Sequence, residues 1–301
     1  MFSPATIAFA VVAIVFALGG FISNGFITAV ILREWTKSRS LASNEQLLLS
    51  LAVSNFWATA LLIPFYINAT FRDDSISNLF LLPGLYLLAT FVIMSRFWFT
   101  AWLCFFYCIK IVNSTHSLFL WCKLRILWLI PRFLAGSLFC SFLFSAFALQ
   151  FTSRQIQSNI AVNVTNTTEV KTSKHTLNTF EAFFLAVGSG CPFLVVLLCS
   201  ILVVASLCRH VCRITGKDIH GRSLQTEVHI KAAWTVLSLL LLYISYYAAH
   251  TLSIIVTLGK DEGILAAMVR IVYPSAQASI LLLVNPKLKQ AATQVLQRVK
   301  V

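Results

Sequence analysis

Seven runs of apolar residues divide the chain, at about 5–32, 46–68, 79–108, 124–150, 180–208, 232–257 and 263–284, each near the ~20 residues that carry a helix across a bilayer. Backbone N–H and C=O groups find no water in hydrocarbon, so each run must satisfy its own hydrogen bonds as a helix. Composition agrees: the 301 residues are 58% hydrophobic and 11% charged, with a mean hydropathy of +0.84. Soluble domains are roughly a quarter charged, so this chain could not cover a water-soluble surface, and a soluble enzyme is excluded. Disorder is excluded too, because disordered segments are poor in hydrophobic residues. The expectation is an all-α membrane protein, a seven-transmembrane helix bundle forming one domain over 1–301, with 285–301 as a short cytosolic tail.

The formal net charge of +13 raises nucleic-acid binding as one explanation and topology as another. Lys and Arg decide between them by position. Of the 23, 15 fall in segments 33–45, 110–125, 209–231 and 285–301, whereas 5 fall in 69–78, 151–179 and 258–262. Basic residues collect on the cytosolic side, which places the N-terminus outside and the C-terminus in the cytosol. The charge is therefore read as topological, with no nucleic-acid partner. The remaining three, Arg96, Arg132 and Arg270, lie within spans.

Four residues, none basic, precede the first run, so that run is expected to be a retained anchor rather than a signal peptide. The sequons at Asn163 and Asn166 fall in the expected outer loop 151–179 and are candidate glycosylation sites. Asn68 lies at a membrane edge, and Asn113 on the cytosolic side should stay bare. None of the eight cysteines has CxxC spacing, and neither a zinc site nor a disulfide framework is implied. No cofactor is called for.

All ten carboxylates lie in loops or at span ends. Coupled transporters usually place Asp or Glu on the membrane pathway, and intramembrane proteolysis needs a buried acid pair, a Ser/His pair or a metal cluster. A transporter or channel is therefore the weaker alternative. Seven spans, short loops and a basic inner face point by analogy to a G-protein-coupled receptor. The usual rhodopsin-like marks are missing: span three ends FYCIKIVN (Phe106–Asn113) without Asp-Arg-Tyr, and no Cys occurs at 69–90 or 151–179.

What stands in their place is similar to the type 2 (bitter) taste receptors over nearly the whole chain. Span one carries NGFI from Asn24, and span two SLAVSN to Asn55. FYCIKIVN is followed by FLWCKLRI (Phe119–Ile126), and span five begins Pro192-Phe193 and runs through SLCRH to His210. Span six opens TEVHIKAAWTV (Thr226–Val236), and span seven reads YPSAQASILLLVNPKLKQ (Tyr273–Gln290). The NxKLKQ end and the FLxxKxRI block argue against the alternative of a vomeronasal type 1-like chemosensory receptor. There are departures: Asn55 stands where the family usually has Arg, Gln277 where His is common, and Ala89 and Ile93 where the ligand wall often has Trp and Asn. They point to a divergent, non-mammalian member.

The resemblance implies a plasma-membrane, multi-pass receptor for small, bitter organic ligands. It implies coupling to a gustducin-like (Gi-like) heterotrimeric G protein, with phospholipase C and calcium downstream. Membrane lipid is a further partner, and a receptor oligomer is possible. It places the ligand among Tyr86, Ala89, Thr90, Ile93, Glu181, Phe184, Tyr246, His250, Ser253, Ala267 and Arg270. The G protein would meet Tyr107, Lys110, His210, Arg213, His229 and Lys231, at the inner ends of spans three, five and six. The alternative is that these basic residues serve only to anchor the topology, which the family motif at Tyr107–Lys110 and His229–Lys231 weighs against.

Arg96 is the most informative single residue. Arginine at mid-membrane costs ~2.5–3.5 kcal/mol on insertion scales, so it should face the bundle interior. It is either a switch with Asn55 and Tyr246, paired to Asn55 and backbone carbonyls, or an arginine relocated from span two that merely packs. Tyr246 is the expected toggle, against an ordinary packed aromatic. Arg270 could recognise an anionic or carbonyl-bearing ligand through its planar fork, or pair with Glu181 or lipid headgroups.

Overall fold

The computed structural model describes residues 4–71, 82–112, 116–164, 184–215, 224–255 and 260–299. Its helices are α1 (Pro4–Ser38), α2 (Ser43–Phe71), α3 (Leu82–Ile111) and α4 (Ser117–Val164), then a π-helical segment (Phe184–Gly190) leading into α5 (Cys191–Thr215). They continue as α6 (Leu224–Ile255), α7 (Lys260–Val284) and α8 (Pro286–Val299). Among the described residues, six stretches are long and apolar enough to cross a membrane: Ile7–Ser38, Gly84–Ile111, Phe119–Gln150, Val187–Ser206, Ala233–Leu252 and Gly263–Val284. The remaining apolar run, 46–68, lies inside α2.

Local chemistry explains where several helices stop and start. The α1 chain reverses at Arg39, whose φ of 56° is the left-handed conformation that ends many helices, and its N–H closes on the Trp35 carbonyl at 2.8 Å. At the start of α2, Glu45 reaches back to accept the Ala42 N–H at 3.1 Å, half of a capping box. The Asn285-Pro286 pair is a helix boundary. Asn285 Oδ1 accepts the N–H groups of Lys287 and Leu288 at 3.0 and 3.4 Å, and Pro286 occupies the first helical position, where no N–H is needed. The expected tail is therefore helical as α8, with Leu288 buried on one face and Lys287, Lys289 and Gln290 exposed.

Two elements depart from the sequence expectation. The polar stretch 151–179 is read as a loop, yet α4 continues through it to Val164. Its residues 151–164 contain neither Gly nor Pro, so nothing interrupts the hydrogen-bonded ladder once the apolar span has nucleated it. Before α5, the missing N–H of Pro192 loosens the preceding turn into a π-helix, and Tyr243 Oη of α6 donates to the Ser189 carbonyl there at 3.2 Å.

α3 occupies the centre, touching α2, α4, α5 and α6, while α1 lies against α2 and α7, and α7 against α6. Its Phe97, Ala101, Cys104 and Cys108 recur on one helical face and are all buried. They join Leu47, Leu51, Val203, Leu239 and Leu281 in one core. Outward faces carry exposed Ile22, Leu124, Leu127, Trp234 and Leu283, as a bilayer-facing surface requires. α1 packs closely at Gly19 and Gly20: a Cβ on Gly20 would lie 3.2 Å from Thr59 Oγ1, and one on Gly19 3.1 Å from Ser275 Oγ. Small residues at such crossings let helix backbones approach.

Gly20→Val is accordingly expected to destabilise the bundle by ~1–3 kcal/mol through overpacking. A lowered unfolding midpoint of the detergent-purified protein would show it; an unchanged midpoint would mean that α1 is not held this closely. The α2–α8 contact gives a second expectation. Lys287 Nζ lies 2.7 Å from Glu45 Oε1. Burial works to raise the Glu45 carboxyl, but hydrogen bonds from Lys287 and the Ala42 N–H, with the Lys287 charge, hold it below its ordinary value. The same hydrogen bond and charge hold Lys287 above its own. A lowered folded carboxylate pKa stabilises fully above the unfolded value and is lost as pH falls through the folded one. Lys287 is 69% exposed, so the pair contributes no more than about 0.5 kcal/mol. Wild type should exceed Glu45→Gln slightly in stability at pH 7, and the difference should vanish below the ordinary carboxylate range of about pH 4.

Candidate functional site

On α3, Tyr86, Ala89, Thr90, Ile93, Arg96, Phe97 and Thr100 recur every three or four residues and share one stripe. The stripe grows more buried along the chain. Tyr86 is exposed, Ala89 and Ile93 are half-buried, and Arg96 is 0% exposed. Facing its deeper part are Tyr246 and His250 of α6 and Tyr273 and Gln277 of α7.

The Arg96 guanidinium lodges in the angle between two tyrosine rings, its central carbon 4.6 Å from the Tyr246 centroid and 4.7 Å from that of Tyr273. The rings themselves meet at 4.7 Å and 62°. Phe97 packs edge-on to Tyr246 at 5.3 Å, and the His250 ring stacks beyond it at 6.1 Å from Tyr246. Desolvated cation–π contacts are worth about 2 kcal/mol each. Two of them offset the ~2.5–3.5 kcal/mol cost of inserting the charge at mid-membrane, but they leave the buried N–H donors of the guanidinium unpaired among the described residues. The arginine therefore fastens α3 to both α6 and α7.

The expected Arg96–Asn55 pairing is not what forms. Asn55 Nδ2 instead donates to Gln277 Oε1 at 2.9 Å, and Gln277 Nε2 donates to Thr100 Oγ1 at 3.0 Å and Tyr273 Oη at 3.3 Å. Thr100 Oγ1 in turn donates to the Arg96 carbonyl at 2.9 Å. An amide carries both donor and acceptor, so Gln277 can bridge α2, α3 and α7 where a charged residue would need a counterion. Asn24 Nδ2 adds α1, donating to the Pro274 carbonyl at 3.2 Å. Four helices thus share one buried polar layer beside the Arg96 cage.

Other expected ligand residues distribute unevenly. Thr90 is buried on α3, and Arg270 is half-buried on α7, its Nε donating to the Ala266 carbonyl at 3.2 Å. Ala267 departs from expectation: it packs with Phe9 and Ala13 of α1 and with Ile271, because its position on α7 turns it to the α1 crossing. Phe184 and Ser253 are described by backbone only, in the π-helical segment and α6. Glu181 and Asn166 lie outside the described residues, and Asn163 is placed by backbone on α4.

At the other end of the bundle, Tyr107 is half-buried and Lys110 is exposed, its Nζ 4.7 Å over the Phe106 ring. His210 and Arg213 lie near the end of α5, and His229 and Lys231 near the start of α6, all four described by backbone only. Both of these helices contact α3. Sequence reasoning missed Phe97, Thr100, Tyr273 and Gln277 as site residues. The usable signal was spacing, since Arg96 and Thr100, like Tyr273 and Gln277, stand one helical turn apart on crossing helices.

The model of the taste receptor protein family (TAS2R) matches residues 1–300. The chain belongs to this family. Taste receptor type 2 member 8 of Pongo pygmaeus is 30% identical over 305 residues, covering 100% of this chain and 99% of that protein. Member 39 of Macaca mulatta is 29% identical, over 93% of this chain and 84% of the relative. Member 9 of Pan troglodytes is 31% identical, over 93% and 90%. The chain is therefore a bitter taste receptor of the G-protein-coupled class and not an enzyme, which removes the vomeronasal and transporter alternatives. In this receptor, Gln277→Leu should leave the buried Asn55 Nδ2 without its acceptor and remove the bond that Thr100 Oγ1 accepts. The expected loss is ~2–3 kcal/mol, read as a lowered unfolding midpoint of purified protein. A neutral result would show that the polar layer rearranges freely.

Proposed function

We propose that this receptor spans the plasma membrane seven times, with its N-terminus outside and its C-terminus in the cytosol, and that small, bitter organic molecules bind its outer half. The pocket is formed by Tyr86, Ala89, Thr90 and Ile93 of α3, Glu181 and Phe184 before α5, Tyr246, His250 and Ser253 of α6, and Arg270 of α7. Ala267 is left out, because it packs against α1. A mainly apolar cleft with a few polar groups suits small amphipathic ligands. Asn163 and Asn166 carry glycans on the outer side in this reading. Surrounding lipid, and a receptor oligomer, remain further partners in the proposal.

The observation that carries the mechanism is the Arg96 cage. Arg96 lies one turn deeper than Ile93, and Tyr246 one turn deeper than His250, so both join the pocket wall to the interior. The cage ties α3 to α6 and α7, with Asn55 held to α7 beside it. A ligand that binds better when α6 has moved away from Arg96 shifts the population toward that arrangement. Parting of the inner ends of α3, α5 and α6 then opens a groove. The C-terminal helix of a gustducin-like Gα docks there, near Tyr107, Lys110, His210, Arg213, His229 and Lys231, a helix-in-groove contact. Phospholipase C and calcium follow.

Calcium release in cells co-expressing a gustducin-type chimeric Gα, screened against a broad bitter panel, tests this reading. A response that needs both receptor and Gα is expected. Silence at confirmed surface expression would move the ligand class elsewhere. In the same assay Arg96→Ser should change basal signalling, and unchanged basal activity at equal surface expression would reject the switch. Arg270→Ala should weaken responses to carboxylate-bearing agonists by tenfold or so, the scale of one charge-assisted hydrogen bond, and leave uncharged agonists unaffected.

A further inference from the structure

The Arg96 cage neutralises less than it buries. A guanidinium cannot be deprotonated and directs five N–H donors outward in its own plane. Here Nε, Nη1 and Nη2 are all buried and find no hydrogen-bond acceptor among the described residues. Tyr246 and Tyr273 cover the cation with their rings, but ring contacts do not satisfy in-plane donors. The Tyr246 hydroxyl is likewise buried and unpartnered, adding a further donor to the same cluster.

No carboxylate on the facing helices is within reach. On α7, Glu262 stands three turns from Tyr273, about 16 Å along the helix axis. On α2, Glu45 is about 15 Å along the axis from Asn55, and it is engaged with Lys287. Glu227 is farther still from Tyr246 on α6. Buried charges are paired or they are costly. A neutral acceptor such as water would satisfy the donors but leave the charge, whereas an anion does both.

We propose that Arg96 holds a compact monovalent anion, either a free halide or the carboxylate of a bound organic molecule, within the bundle between α3, α6 and α7. A carboxylate matches the planar fork bidentately, and a halide accepts from converging N–H and O–H groups. The halide enters from solution. The carboxylate source rests on the pocket proposed above, whose Ile93 and Ala89 lie one and two turns from Arg96 on the same α3 face.

The test is the unfolding midpoint of the full-length, detergent-purified receptor at constant ionic strength. Sodium gluconate is the baseline, with chloride or bromide titrated in one arm and benzoate in the other. Binding to the folded state raises the midpoint in a saturable way. A rise with halide identifies the free ion, and a rise with benzoate alone identifies the ligand-borne carboxylate. Arg96→Gln should abolish whichever shift wild type shows, and Tyr246→Phe, which keeps the ring contact and loses the hydroxyl, should reduce it. If Arg96→Gln does not fold, the wild-type titration and Tyr246→Phe carry the test. No dependence on either anion in wild type would overturn the proposal and leave Arg96 simply hydrated. A shift that persists undiminished in Arg96→Gln, or in Tyr246→Phe where only that variant folds, would place the anion elsewhere and overturn it equally.

Discussion

A permanently charged group in the middle of an apolar helix bundle is the constraint around which this receptor is arranged. Arg96 sits near the centre of α3 and is 0% exposed. A guanidinium stays charged where a lysine's ammonium need not. The bundle must therefore surround it with compensating groups, and those available are the electron-rich faces of Tyr246 and Tyr273. Both rings come from other helices, so compensating the charge and holding α3, α6 and α7 together are one physical act. A change that parts the helices therefore uncovers the charge.

The polar layer beside the cage works by the complementary logic. Asn24, Asn55, Thr100 and Gln277 are neutral groups, each placed to serve a partner on another helix or a backbone carbonyl. Such hydrogen bonds add modestly to stability, but leaving one unmade in hydrocarbon costs more than making it gains. Their effect is to define register: a slip of α7 by one residue breaks several at once. The glycines of α1 and the cap at Asn285 act similarly at the periphery, fixing how closely α1 approaches and where α7 gives way to α8.

The pocket and the inner face proposed above are joined through this middle layer. The α3 stripe runs from exposed Tyr86 through Ile93 to Arg96 and Thr100, and on to Tyr107 and Lys110 at the far end. A rigid central helix that contacts α2, α4, α5 and α6 can convey a change at one end to the other only by altering which neighbours it holds. The tyrosine cage is where that choice is concentrated, since Tyr246 touches Arg96, Phe97, His250 and Tyr273 together.

The helical, membrane-spanning character was legible in the sequence because hydrocarbon leaves the backbone no alternative, and the family followed from contiguous motifs such as FYCIKIVN and NPKLKQ. That Arg96 must face inward was equally determined, since an arginine facing lipid is costly. Its partners were not. Which side chain meets it depends on the rotation and crossing of three helices, and so sequence reasoning chose Asn55 where packing selected Tyr246 and Tyr273. Ala267 shows the same limit: its place on α7 was known, but its packing against Phe9 and Ala13 was set by the α1 crossing. The continuation of α4 beyond its apolar run was misread because hydropathy reports the bilayer, whereas a helix ends only where its hydrogen bonds do. Local chemistry and the membrane solvent decided the elements, and long-range side-chain packing alone decided which residues form a site.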